Sequence, residues 1–170
     1  MKMKTILSVA LIVSGLFLLA GCPISSEYPL GKKGDVALDS RLIGTFSNEA
    51  DDPEAHKVTI TKGSAANTYR VHVDERGGMY AAGSDDFTGW LTKLEGQTFL
   101  VLQEVVEDVE TETYYVYHIY FTESGFETSD ISLKVSGTAA ITSIEAYREE
   151  VKASMGMNDF LSSTVYWTKN

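Results

Sequence analysis

Residues 68–74 read TYRVHVD, and apolar and polar side chains alternate at every step. On an extended chain Tyr69, Val71 and Val73 fall on one side, and Arg70, His72 and Asp74 on the other. A period of two is the mark of an antiparallel strand with one face packed and one face wet. The same period runs through KVTIT (57–61), with Val58 and Ile60 on one face. GWLTKL (89–94) and TFLVLQE (98–104) flank Glu95-Gly96-Gln97, a short turn whose Gly tolerates positive φ, and together they predict a hairpin. TYYVYHIYFT (113–122) is rich in β-branched and aromatic residues. It ends at Glu123-Ser124-Gly125, after which FETSDISLKV (126–135) returns. LIGTF (42–46) reads as the first strand of the set and STVYWTK (163–169) as the last.

One segment departs from this period. In TSIEAYREEVKASMG (142–156), Ile144, Tyr147, Val151 and Met155 recur as one stripe of a helix. Thr142 and Glu145 stand at capping-box spacing, and Gly156 stands where a C-terminal glycine cap belongs. A helix is expected from about 143 to 155. Short connections favour hairpin pairing between sequence neighbours, and closure removes the exposed edges of a many-stranded sheet. The expectation is an all-β, mainly antiparallel domain: a small up-and-down barrel or strongly curved sheet, with one helix before the last strand. A β-sandwich or a half-barrel fits the same pattern.

Leu42-Ile43-Gly44-Thr45-Phe46 resembles the Gly-x-Trp opening strand of lipocalin-like barrels, with Phe46 in the aromatic place. The late helix followed by a final strand is similar to that family as well. The resemblance implies a barrel.

The N-terminus has a different character. Lys2 and Lys4 precede a run from Ile6 to Ala20 that carries no charge, and Pro23 follows closely. Crossing a bilayer takes roughly 20 apolar residues, so this shorter run reads as a secretory signal peptide over residues 1–21. Leu19-Ala20-Gly21-Cys22 resembles the lipobox of bacterial lipoproteins. That resemblance implies cleavage between Gly21 and Cys22, a diacylglyceryl group on the Cys22 sulfur, and acylation of the new N-terminus, as by palmitate. Two or more chains anchor stably where one does not. In enteric members of the family, Asp after the Cys favours the inner membrane. Pro23 stands there, which points to the outer membrane, facing the periplasm, in a Gram-negative cell.

Cleavage removes 21 of the 170 residues and two of the 14 basic side chains. It leaves 149 residues with 12 basic and 24 acidic groups, a formal net charge of −12. That length suits one domain with a real core. Cys22 is the only cysteine, so no intrachain disulfide can form. The acidic balance argues against a nucleic-acid partner, which needs clustered Lys and Arg. From Pro23 to about Ser40 the chain holds two of its three prolines and two glycines without periodicity. This stretch, with Cys22, reads as a tether that reaches roughly 60 Å when extended, and the folded domain is expected over 41–170.

No catalytic pattern is evident. Gly83-Ser84-Asp85 lacks the second glycine of a nucleophile elbow, and Gly31-Lys32-Lys33-Gly34 has the wrong spacing for a phosphate loop. His56, His72 and His118 lie on separate segments, and no metal or other cofactor is expected. The acidic runs 49–54 and 104–112 lack the spacing of a calcium loop and read as solvated hairpin tips. The most suggestive feature is Tyr114-Tyr115-Val116-Tyr117-His118-Ile119-Tyr120-Phe121, which is apolar or aromatic on both faces. Such a strand is covered on both sides, or it points aromatics into a cavity or toward a partner. Tyr114, Tyr115, Tyr117, Tyr120 and Trp90 are therefore the candidate contacts for a ligand or partner. The expected function is that of a lipid-anchored envelope protein, held to the membrane through Cys22, with a non-enzymatic domain that binds a small apolar ligand or another envelope protein. A structural or assembly accessory role is the alternative, and a carboxylate-based hydrolase a third.

Overall fold

The computed structural model describes residues 25–48, 56–75, 85–133 and 141–170. The expected leader, with Gly21 and Cys22, lies outside these. Among the described residues nine strands form: β1 (Ser25–Ser26), β2 (Gly44–Asn48), β3 (His56–Lys62), β4 (Tyr69–Glu75), β5 (Asp86–Leu94), β6 (Gln97–Val106), β7 (Val109–Phe121), β8 (Gly125–Ile131) and β9 (Leu161–Lys169). One helix, α1 (Ile144–Ser154), lies between β8 and β9. From β2 to β9 each strand pairs antiparallel with the next. The pairing of β9 with β2 then closes an eight-stranded up-and-down barrel. The seam is narrow, with Phe46, Ser47 and Asn48 opposite Lys169, Thr168 and Trp167.

Turn chemistry sets the hairpins. Glu95 and Gly96 both hold positive φ, as do Glu107 and Asp108, the conformation whose twist matches a two-residue hairpin. The acidic run 104–112 is thus divided: its centre is an exposed tip and its flanks extend β6 and β7 beyond the strands expected from alternation alone.

Alternation along the strands builds two cores. Val58, Ile60, Tyr69, Val71, Phe87, Leu100, Leu102, Tyr115, Ile119 and Phe126 point into the barrel. On β5–β7 the opposite face is also apolar. Trp90, Phe99, Val101 and Val116 pack outside the barrel with Leu30, Ile131, Ile141, Phe160 and the helix residues Tyr147 and Val151. The two-sided apolar pattern of residues 114–121 has this cause: β7 separates the interior from a layer of helix and chain laid on its outside. Arg148 ties that layer down by donating to the carbonyls of Leu30 and Lys93 at 3.1 and 2.9 Å.

The helix ends differ from the expected ones. Ser143, not Thr142, is the N-cap, and its hydroxyl accepts from the Ala146 amide at 3.0 Å. Ser143 has extended φ and ψ, which aims its short side chain at the first turn. Glu145 sits in that turn, where it favours the helix dipole rather than closing a box. The C-cap is Met155 in a right-handed conformation, and Gly156 is not among the residues of positive φ. The expected stripe holds in Tyr147 and Val151, both fully buried.

Tyr147 carries a cost. Its ring is buried, burial pushes its pKa up, and its hydroxyl has no hydrogen-bond partner among the described residues. A buried unpaired hydroxyl costs roughly 1–3 kcal/mol. Tyr147→Phe is therefore expected to leave urea stability unchanged or raise it by about 1 kcal/mol. A loss of that size instead would mean the hydroxyl has a partner.

The segment expected as a tether is, from Ser25 onward, packed on the barrel. Ser25 and Ser26 pair with Tyr115 and Tyr114. Leu30 is fully buried, and the Gly31 carbonyl accepts from the Trp90 indole at 3.0 Å. A Cβ on Gly31 would lie 2.1 Å from the Thr92 hydroxyl oxygen, so only glycine allows this approach. The Lys33 ammonium pairs with Glu110 at 2.8 Å and holds the Glu110 pKa below the usual carboxylate range. Asn67 donates to the Gly34 carbonyl, and the Tyr69 hydroxyl bonds both the amide and the carbonyl of Asp39. A short 3-10 turn (Ser40–Leu42) then leads into β2, so Leu42, fully buried, belongs to that turn and not to the first barrel strand. The folded body begins well before Arg41 because these contacts satisfy the segment's polar backbone. Proline and glycine content alone pointed the other way.

Candidate functional site

The five aromatic candidates occupy three places. Tyr115 and Tyr117 face the barrel interior, where Tyr115 meets Phe87 edge-on with ring centroids 6.0 Å apart. Trp90 and Tyr114 lie on the outer wall in the second core, with ring centroids 6.1 Å apart. Tyr120 also points outward but is 62% exposed. They do not converge on one site, because strand alternation sends even and odd positions of β7 to opposite sides.

Buried apolar side chains, Phe46, Val71, Leu100 and Phe126 among them, line the middle of the barrel. Open space lies at the end where β2 begins. There a cleft of about 650 Å³ separates residues 35–40 from the wall formed by Leu91 and Lys93 of β5, Thr98 of β6 and Phe121 of β7. Val36, Leu38, Leu91 and Phe121 supply its apolar lining. Asp35, Asp39, Ser40, Lys93 and Thr98 supply polar groups.

Asp39 and Arg41 are paired at the rim. The Arg41 guanidinium grips the Asp39 carboxylate at 2.6 and 3.0 Å and stacks 3.9 Å from the centre of the Phe121 ring. The side-chain hydrogen bond from Arg41 lowers the Asp39 pKa. Asp39 is therefore a committed anion that caps the 3-10 turn. Lys93 lines the cleft from β5 and brings a cation to it.

Alternation does not reveal this cleft. Val36, Ala37 and Leu38 form a short apolar trio inside a stretch of tether-like composition, and that trio is the one local signal of it. Leu91 and Phe121 are ordinary inward positions of their strands, and only the segment laid across the mouth makes them a site.

Two inward carboxylates bear on the hydrolase reading. Burial raises the Asp130 pKa, with a hydrogen bond to Ser163 opposing the shift. Asp130 stands opposite Tyr117, which in turn stands opposite Leu100. Glu104, 8% exposed, stands opposite Phe87, further along β6. The two therefore sit at different levels of the barrel. His72 lies on the outer face of β4, 3.2 Å from Asp86, and His118 on the outer face of β7, edge-on to Phe99. The side chain of His56 lies outside the described residues.

Burial lowers the His118 pKa. The unfolded chain then binds a proton at higher pH than the folded one, so stability rises with pH across that window. Urea stability is expected to fall as pH drops from about 7.5 to about 5.5, and the His118→Gln chain is expected to show a shallower fall. Equal slopes for both chains would refute this.

No family model, no curated protein and no solved structure matches the chain.

Proposed function

We propose that this protein is a lipid-anchored envelope lipoprotein whose barrel is a non-enzymatic, lipocalin-like binding domain taking a small apolar molecule at its mouth. The observation that carries the binding reading is the cleft of about 650 Å³ with Val36, Leu38, Leu91 and Phe121 on its walls. That volume lies in the range of small-molecule pockets. Lys93 is the group that an acidic end of the ligand would meet. The anchoring reading rests on Leu19-Ala20-Gly21-Cys22 after an uncharged apolar run. The cell envelope, on the periplasmic side of the outer membrane, is the location that follows in a Gram-negative host.

Native and denaturing mass spectrometry of the chain extracted from its own membrane tests both halves. Denatured, the protein is expected to begin at Cys22 and carry acyl mass there. Under native conditions it is expected to retain a small apolar adduct, which Leu38→Glu abolishes without removing the acyl mass. A native chain with no adduct would refute the ligand reading. A reproducible protein partner in its place would support an accessory role.

A further inference from the structure

We propose that the barrel lies on its side against the bilayer, with the outer face around Tyr120 and Tyr166 at the lipid headgroups. This rests on the lipoprotein reading and adds an orientation to it. Pro23 and Ile24 alone separate Cys22 from Ser25, which is already paired to the barrel wall. Three residue steps span at most roughly 11 Å. An acylated Cys22 therefore holds the wall beside Ser25 close to the membrane and leaves no spacer on which the domain can tumble freely.

The register of β1 fixes which wall that is. β8 pairs with β7 from Tyr117 to Phe121, and β1 takes over the same edge of β7 at Tyr115 and Tyr114. The anchor thus leaves the barrel where β8 parts from β7. In the closed ring β3 stands four strands from β7 in either direction, so the outer face of β3 is the far pole.

Two surfaces flank the anchor. One is helix α1, whose outer side exposes the charged side chains of Glu145, Glu149 and Lys152 and no aromatic ring. The other is the outer face of β7–β9, where Tyr120 stands opposite Glu127 and Glu127 opposite Tyr166. The two tyrosines are 62% and 61% exposed, and Leu161 on the same strand as Tyr166 is 40% exposed. Phenol rings have an apolar body and a polar tip and favour the headgroup level of a bilayer. The tyrosine face is therefore the one turned to the membrane, and Glu127 between the rings keeps it at headgroup depth.

Labelling the mature, acylated protein tests this. Acylation consumes its only thiol, so an introduced cysteine is the single site for a fluorophore. Thr164→Cys marks the β9 face and Thr59→Cys the far pole. Each chain is placed in phosphatidylethanolamine–phosphatidylglycerol vesicles that carry a headgroup nitroxide lipid. The label at position 164 is expected to be quenched several-fold more than the label at 59. Tyr120→Ser with Tyr166→Ser is expected to shrink that difference while acyl mass and thermal unfolding stay unchanged. Equal quenching at 164 and 59 in acylated protein would overturn the orientation and leave the lipoprotein reading standing. A chain recovered with an unmodified Cys22 would overturn both.

Discussion

Trp90→Ala is expected to cost about 3–5 kcal/mol in urea unfolding, the range for deleting a large buried aromatic side chain. Trp90 is 1% exposed, on the outer wall of β5. It packs on Tyr114, lies under the Lys33 ammonium at 5.4 Å, and donates to the Gly31 carbonyl. The deletion removes the surface on which residues 30–33 lie, so their loss of order is part of the effect. Protease cleavage between Ser25 and Asp39 is expected to accelerate in the variant, ahead of global unfolding. Trp90→Phe separates the contributions: it keeps a ring but abandons the indole donor, and is expected to cost far less than the alanine change. A loss under about 1 kcal/mol for Trp90→Ala would show that the outer core contributes little.

Phe46→Ala is expected to cost a comparable 3–5 kcal/mol, through the barrel interior. Phe46 is fully buried and meets Phe126 edge-on with centroids 4.8 Å apart. It also lies at the closing seam, directly opposite Lys169, whose ammonium sits 5.8 Å above the ring and donates to the Ile43 carbonyl. With so few residue pairs joining β2 to β9, the seam has little redundancy. The variant is expected to open there first. Amide exchange at Ser47 and Thr168 should rise more than at Val101 in the centre of the sheet. Uniform acceleration across all strands would argue instead for one cooperative unit.

Much of the barrel is legible along the chain. TYRVHVD and KVTIT become β4 and β3 with their apolar faces inward, and GWLTKL and TFLVLQE become a hairpin about Glu95-Gly96. The helix stripe of Tyr147 and Val151 is buried as its spacing implies. Errors gather at boundaries. Ser143 displaces Thr142 as the cap, since both residue types can serve and only backbone angles choose between them. The acidic run 104–112, read as a hairpin tip, does hold the turn at Glu107-Asp108, but its flanks are strand, because charged side chains on an exposed hairpin leave no alternation to mark where the strands end. The candidate site is far less legible. The aromatic residues that attract notice on β7 are divided among core, outer wall and surface. The cleft uses Leu38, Lys93 and Phe121, none of which is conspicuous.

The sequence by itself determined the strands, their order and the helix, because those depend on side-chain period and on turns between neighbours. The likeness of Leu19-Ala20-Gly21-Cys22 to a lipobox, on which the proposed anchor rests, is likewise a matter of local sequence. Tertiary structure alone decided that Ser25–Leu42 is part of the body. The partners of that segment are Asn67, Tyr69, Trp90, Glu110 and Tyr115, all distant in sequence. Contacts at such separations leave no periodic trace in the segment that makes them, and its few buried residues, Leu30 and Leu42 foremost, are spaced by no regular element. The mouth cleft, and the nearness of the barrel wall to any lipid on Cys22, both follow from that one packing decision.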